Sequence, residues 1–172
     1  MAGTLLIGYD VEWLEAGDIT VPFLQRAQEL HNALNAPATM FLVGMTLESW
    51  IPDFQRIAAD PLFDIQQHTW SHRLLKTVHM DDGKSVRVVR GIPVPEIRTE
   101  VLRTSDLIRN VLGKDVTGIT GPYNYYRGLR DRPDILETLY ECGIRFTRCD
   151  GRNAEDWHPV SMDLQPYWYD CH

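Results

Sequence analysis

The feature that most constrains the fold of this chain is an alternation of short apolar runs with longer segments of helical periodicity. Repeated strand–helix units of this kind favour a parallel sheet with right-handed crossovers. We therefore predict one α/β domain over residues 1–172. The predicted strands cover residues 4–9, 38–43, 63–66, 116–119 and 144–147, and the predicted helices cover residues 22–34, 47–59, 95–112 and 131–142.

Two local patterns refine this prediction. The helix at 22–34 carries Phe23, Ala27, Leu30 and Leu34 at helical spacing, which predicts that these side chains face the core. The polar residues 76–95 contain several turn-forming glycines and prolines, which indicates an ordered loop or a small hairpin.

Composition limits the class of partner. The chain has 172 residues, 44% of them hydrophobic, which suits one compact core. The net charge is −7, which argues against nucleic acid or an anionic membrane surface as partner. No apolar run approaches the ~20 residues that span a bilayer. Three cysteines without a C-x-x-C pair predict neither a disulfide framework nor a cysteine zinc site. Met1 leads almost directly into the first apolar run without a leader pattern, so we expect a cytoplasmic location; a homo-oligomer is compatible with all of this.

Two pairs of candidate metal ligands follow predicted strands. Asp10 and Glu12 end the first apolar run, and alternation along a strand places both side chains on one face. His68 and His72 lie one helical turn apart in the segment HTWSH, directly behind the third predicted strand. Either pair alone is usually solvated surface. Because the carboxyl ends of parallel strands meet at one edge, the two pairs together predict a single metal site.

This ligand set has a definite chemistry. Two imidazoles and one carboxylate leave open positions, as a catalytic zinc site requires. The longer side chain of Glu12 suits the ligand position, which leaves Asp10 as the general base for a metal-activated water. The same donor types suit non-haem Fe(II), so an oxygenase is an alternative. Such sites usually place one His and the acid close together in sequence, and they usually occur in all-β barrels, neither of which matches this chain.

With these residues in view, the chain resembles the polysaccharide deacetylase family, the NodB-type domain of carbohydrate esterase family four. Asp10-Val11-Glu12 is similar to the family's first motif, in which one acid is the base and the other a metal ligand. Residues 68–72 match its second motif, His-Ser/Thr-x-x-His, and residues 37–44 resemble its second strand. The resemblance runs from about residue 5 to residue 157.

The resemblance implies a distorted (β/α) barrel, here short of its last strand or strands. It implies a metal-dependent hydrolase that removes acetyl groups from N-acetylglucosamine polymers, or that cleaves another C–N bond in a small amide. The implied cofactor is Zn²⁺, with Co²⁺, Ni²⁺ or Fe²⁺ as alternatives, and the implied substrate is a small molecule or an oligosaccharide.

Some motifs depart from the family pattern. Thr120 stands where the third motif carries the Arg that orients the base, and Arg127 is a candidate replacement. Tyr123, in the matching Gly-Pro-Tyr, would donate its backbone N–H to the oxyanion. His158 and His172 are the candidate general acids, because the fifth motif has no clear match.

Aromatic residues suggest where a sugar could stack. Asp156-Trp157 resembles the fourth motif, and we consider Trp157, Tyr125 and Arg127 as substrate contacts, although buried aromatics mostly serve cores. The departures at Thr120 and in the fifth motif leave a second hypothesis open, a catalytically impaired member that binds glycan without cleaving it.

Overall fold

A computed structural model describes residues 5–12, 19–81 and 84–152 of the chain. The strands, in chain order, are β1 (Gly8–Val11), β2 (Ala38–Leu42), β3 (Phe63–Gln67), β4 (Val78–Asp81), β5 (Val86–Val89), β6 (Gly118–Ile119), β7 (Tyr125–Tyr126), β8 (Phe146–Thr147) and β9 (Asp150–Arg152). The helices are α1 (Thr20–Leu34), α2 (Gly44–Ser49), α3 (Ile51–Ala59), α4 (Val94–Leu112) and α5 (Pro133–Glu141).

Five strands form one parallel sheet in the order β1-β2-β3-β6-β8. Strands about 4.8 Å apart would place β1 and β8 roughly 19 Å from each other in a flat sheet. The side chain of Arg148, just after β8, nevertheless pairs with Asp10 of β1. The sheet is therefore strongly curled into half of a (β/α) barrel, which confirms the predicted α/β barrel class.

The hydrophobic core lies on the convex side of the sheet, beneath the helices. Met40 and Leu42 of β2 and Ile65 of β3 are buried against helical side chains. Phe41 points the other way, because neighbouring residues of a strand face opposite sides. It lines a cavity of about 1020 Å³ on the concave face. The main helical contributions to the core are Leu24, Phe54, Ile57, Ile97, Val101, Ile108, Ile135 and Leu139.

The first strand begins later than the sequence predicts. Leu5 and Leu6 are 80% and 86% exposed and line the concave cavity, and the strand starts at Gly8. Helix 47–59 is also wrong as a single element, since α2 ends at Ser49 and α3 starts at Ile51. Pro52 explains the break, because it has no N–H to continue a helical ladder from α2.

Helix α1 turns only part of the predicted face to the core, since Ala27 is buried and Phe23 packs against the core. Leu30 and Leu34 are 50% and 66% exposed, whereas Leu24 and His31 are buried. His31 is buried at little cost because both ring nitrogens have partners, the Tyr9 hydroxyl at 2.9 Å and the Ala36 carbonyl at 2.6 Å. Apolar spacing was therefore right for Phe23 and Ala27 and wrong for Leu30 and Leu34.

The remaining strands form two small pairs outside the main sheet. The antiparallel β4–β5 pair confirms a hairpin within residues 76–95. The short parallel β7–β9 pair was not predicted. Across the described part of the chain, every helix is too short or too polar to cross a bilayer.

Candidate metal centre

His68 is the buried anchor of the site. It follows β3 directly, is 1% exposed, and its Nδ1 lies 2.7 Å from the carbonyl oxygen of Thr120. A carbonyl only accepts, so Nδ1 carries the proton and donates it. When the ring is neutral, Nε2 is therefore the nitrogen without a proton, and it faces the site. Metal-binding histidines commonly fix their tautomer through such a bond to a backbone carbonyl.

Three donor atoms converge at this point. Glu12 Oε1 lies 3.1 Å from His68 Nε2 and 3.1 Å from His72 Nε2, and the two Nε2 atoms are 3.1 Å apart. The two histidines also hold the pKa of Glu12 well below its usual range, His68 most strongly, through hydrogen bonds that outweigh the opposing effect of burial. Three donor atoms this close together can hold one cation between them.

The spacing suits a zinc ion. Ligands about 2.0–2.1 Å from a tetrahedral zinc lie about 3.3 Å from one another. The observed triangle of 3.1 Å edges is close to this value, and two imidazoles with one carboxylate are a common catalytic zinc set. The side chains of Glu12 and His72 are each 38% exposed, so the open side of the triangle faces solvent. The residues present therefore fit the metal.

Asp10 lies on β1, two residues before Glu12, and pairs with Arg148, which the sequence analysis missed. Arg148 Nη2 donates to Asp10 Oδ1. Its Nε donates to the hydroxyl of Thr120 at 3.2 Å, and its guanidinium lies 5.0 Å from the Phe41 ring centre. Oδ2 of Asp10 makes no hydrogen bond to the described residues and can accept a proton.

The expectation that Arg127 supplies this charge is therefore corrected. Arg127 is exposed in the turn after β7 with φ of 60°, and it is Arg148 that contacts Asp10. A sequence signal for Arg148 was present, because it directly follows the predicted strand at 144–147. The candidate metal ligands were chosen because they too follow predicted strands.

The Gly-Pro-Tyr turn follows β6 at the same edge of the sheet. Tyr123 and Asn124 both have positive φ, 78° and 52°, so the turn is a strained conformation held by its surroundings. Arg152 donates from Nε to the Tyr123 carbonyl at 2.9 Å and stacks on its ring at 3.5 Å. Cys149 Sγ accepts the Gly121 N–H at 3.1 Å. The role of Tyr123 as an oxyanion donor stays a prediction.

Tyr125 does not offer a stacking surface. It is 1% exposed, its hydroxyl accepts the Leu75 N–H at 3.0 Å, and burial raises its pKa. It is a core residue, which corrects its assignment as a substrate contact. The other predicted residues of the C-terminal segment, Trp157, His158 and His172, lie outside the described residues.

The polysaccharide deacetylase family model matches residues 7–147. The chain belongs to this family, as its motifs and half-barrel sheet indicate. A comparison with curated proteins finds no significant match.

Solved structures share the fold at low sequence identity. A CE4 family pseudoenzyme from Bacillus anthracis is 17% identical with a TM-score of 0.63, over 83% of this chain and 41% of its own. A Streptococcus pyogenes deacetylase in complex with acetate is 14% identical with a TM-score of 0.58, over 80% and 52%. A polysaccharide deacetylase from Bacillus cereus is 20% identical with a TM-score of 0.56, over 82% and 57%. The chain thus spans about half the length of these structures.

Proposed function

We propose that this chain is a metal-dependent deacetylase that hydrolyses the acetamide of an N-acetylated sugar or another small amide. Glu12, His68 and His72 would hold Zn²⁺, or Co²⁺, Ni²⁺ or Fe²⁺ in its place. The observation that carries the proposal is the 3.1 Å triangle of their donor atoms, with His68 fixed in the tautomer that a metal needs. Family membership supports the reaction class.

The protein groups around the triangle have complementary roles. A zinc ion bound there would acidify a coordinated water and polarise the substrate carbonyl. Asp10 would take the proton of the attacking water through Oδ2, while Arg148 holds Oδ1 and fixes the orientation of the carboxylate. The Tyr123 N–H would stabilise the oxyanion. His158 and His172 are candidates for protonating the leaving amine, and Trp157 for contacting the sugar.

The experiment is acetate release by the zinc-loaded protein from N-acetylglucosamine oligomers, peptidoglycan fragments and small acetamides. Asp10→Asn should keep zinc bound and lose about 10²- to 10⁴-fold in kcat, because it removes the base and spares the ligands. Asp64→Asn is the matched control: Asp64 also lies on the concave face, bonded to Gln66, and this change should leave kcat unaltered. Turnover that survives Asp10→Asn would exclude Asp10 as the base.

A second candidate is a member of the family that binds glycan without cleaving it. Two observations favour it: Thr120 replaces the motif arginine, and one of the similar structures is a pseudoenzyme. The same assay separates the two, because this candidate predicts saturable glycan binding with no acetate released from any substrate. The oxygenase hypothesis gains no support from the family match.

A further inference from the structure

The loop that carries both histidines is tied to α4 by a buried carboxylate. Glu100 is 9% exposed and accepts two hydrogen bonds from Ser71, one from its backbone N–H to Oε2 and one from its hydroxyl to Oε1. Both bonds are 2.8 Å long. Both oxygens of the carboxylate are therefore used on the residue that precedes His72.

Burial of this carboxylate has no counter-charge to offset it. Among the described residues, Glu100 forms no ion pair with a lysine, arginine or histidine. Burying a carboxyl group without a charged partner is costly, and an apolar side chain of the same length would pack there at lower cost. The carboxylate at this position is better explained by what it holds than by a contribution to folding stability.

His72 needs such support more than His68 does. The His68 ring is buried and bonded at both nitrogens, whereas the His72 side chain is 38% exposed and, among described residues, bonds only through Nε2. The direction of its ring therefore depends on the backbone. That backbone is strained, with φ of 56° at His72 and 65° at Thr69, and such conformations persist only when surrounding contacts enforce them.

On the N-terminal side of Ser71, the loop is held by two backbone hydrogen bonds. The N–H groups of Gly44 and Met45, at the start of α2, donate to the carbonyls of Thr69 and Trp70 at 2.9 and 3.0 Å. Both contacts lie before Ser71. The bidentate contact from Glu100 is the next restraint along the chain, and it acts at the residue bonded to His72.

We infer that Glu100 is a positioning residue of the metal centre, which fixes the Ser71 backbone and so aims His72 Nε2 at the metal. The inference rests on the metal site of the proposed function. It requires no contact between Glu100 and the metal.

Zinc affinity of the intact chain, measured by competition with a chromophoric chelator, tests this role. Glu100→Met keeps the length of the side chain and removes both acceptors, so the zinc Kd should rise by about 10- to 100-fold, as when other outer partners of metal ligands are removed. Glu100→Gln can still accept the Ser71 N–H, so its Kd should stay close to the wild-type value. Co²⁺-loaded protein should show an altered visible spectrum for Glu100→Met only.

Glu96→Met is the matched control. Glu96 lies one turn earlier on α4, is about half exposed, and pairs with Arg73, the residue that follows His72. This change removes a carboxylate from α4 and its contact with the loop at Arg73, and it leaves the contacts of Ser71 intact. Zinc affinity should be unchanged.

The outcomes separate the two proposals. If the wild type binds no zinc, the proposed function fails. If the wild type binds zinc and folded Glu100→Met binds it equally well, only the role of Glu100 is overturned. Should Glu100→Met fail to fold, Glu100→Leu also removes both acceptors, and an unchanged zinc Kd for that folded variant would equally overturn the inference. Where Glu100→Met folds, adding Ser71→Ala should weaken zinc binding no further, because both changes act through one contact.

Discussion

At the scale of single residues, Thr120 contacts both the candidate metal cluster, through His68, and the Asp10–Arg148 pair, through Arg148. Its carbonyl accepts the Nδ1 proton of His68, and its hydroxyl accepts a hydrogen bond from Arg148. By resemblance to the family, Thr120 stands where the base-orienting arginine is expected. The register pairs Ile119 with Thr147, so Thr120 and Arg148 are neighbours at the ends of adjacent strands. Arg148, directly after β8, places a guanidinium beside Asp10 instead.

This arrangement predicts that Arg148→Met lowers kcat by about 10²-fold, because a misplaced catalytic group costs about that much. Zinc affinity should be unchanged, since Arg148 contacts none of the three ligands. Acetate release and chelator competition measure the two properties separately. Arg145→Met is the control, because Arg145 precedes the same strand and its guanidinium, among the described residues, contacts the carbonyls of Tyr140 and Ile144 and the ring of Tyr140.

An exchange of the two residues tests the idea further. Arg148→Thr should lose activity, and adding Thr120→Arg should recover part of it by returning the guanidinium to β6. A double variant no more active than Arg148→Thr, or an Arg148→Met enzyme as fast as wild type, would contradict the assignment.

At the scale of elements, the loop that carries His68 and His72 packs against the start of α2. A Cβ on Gly44 would lie 2.4 Å from Cε3 of Trp70 and 3.1 Å from Oγ1 of Thr104, so only glycine lets the helix approach this closely. Arg103 stacks on the Trp70 ring at 3.4 Å. The loop, α2 and α4 therefore pack as one unit.

Gly44→Ala should destabilise the fold by about 1–3 kcal/mol, because the added methyl forces the indole to move. The displaced loop should also bind zinc more weakly. Urea unfolding and zinc competition measure the two effects. Met45→Ala, at a partly exposed neighbour in the same helix, should change stability by no more than about 0.5 kcal/mol. Equal stability of Gly44→Ala and Met45→Ala would show that the contact is not tight.

The sequence predicted the elements that apolar runs define, and it failed where a tertiary contact decides. β2, β3 and α4 lie within one residue of prediction, because buried runs and Gly113 mark them. The second half of the α1 face was wrong because His31, with both ring nitrogens bonded, is buried there in place of Leu30 and Leu34. In the site, strand-end motifs predicted the cluster of Glu12, His68 and His72. Arg148 directly follows the predicted strand at 144–147, but its contact with Asp10 depends on the curl of the sheet and was missed.

At the scale of the whole molecule, the structure is a curled parallel sheet with a helical core on one side and a large apolar cavity on the other. Its strand order follows from the right-handed crossovers, which is why repeated strand–helix units were enough to predict the class. The site lies at the edge where the strands end, as in other α/β sheets. The sequence did not predict the concave cavity, because no local pattern distinguishes Phe41, which lines it, from Met40, which is buried in the core.

Burial of the Cys149 thiol makes the stability of the whole fold depend on pH. Cys149 is 1% exposed, and burial raises the pKa of its thiol to about 11 from an ordinary value of 9.0. The folded state therefore holds the proton more tightly, so this contribution is complete below pH 9 and is lost as pH rises towards 11. Between pH 8 and pH 10 the wild type should lose about 1 kcal/mol more unfolding free energy than Cys149→Ala. Parallel pH profiles in urea unfolding would contradict this.

The central claim is that Glu12, His68 and His72 hold one metal ion, and anomalous diffraction at the zinc edge from crystals grown with zinc tests it most directly. One strong peak per chain is expected, about 2.0–2.2 Å from Glu12 Oε1 and from the Nε2 atoms of both histidines. A zinc-saturated crystal with no peak between these atoms, or with the peak held by other side chains, would contradict it.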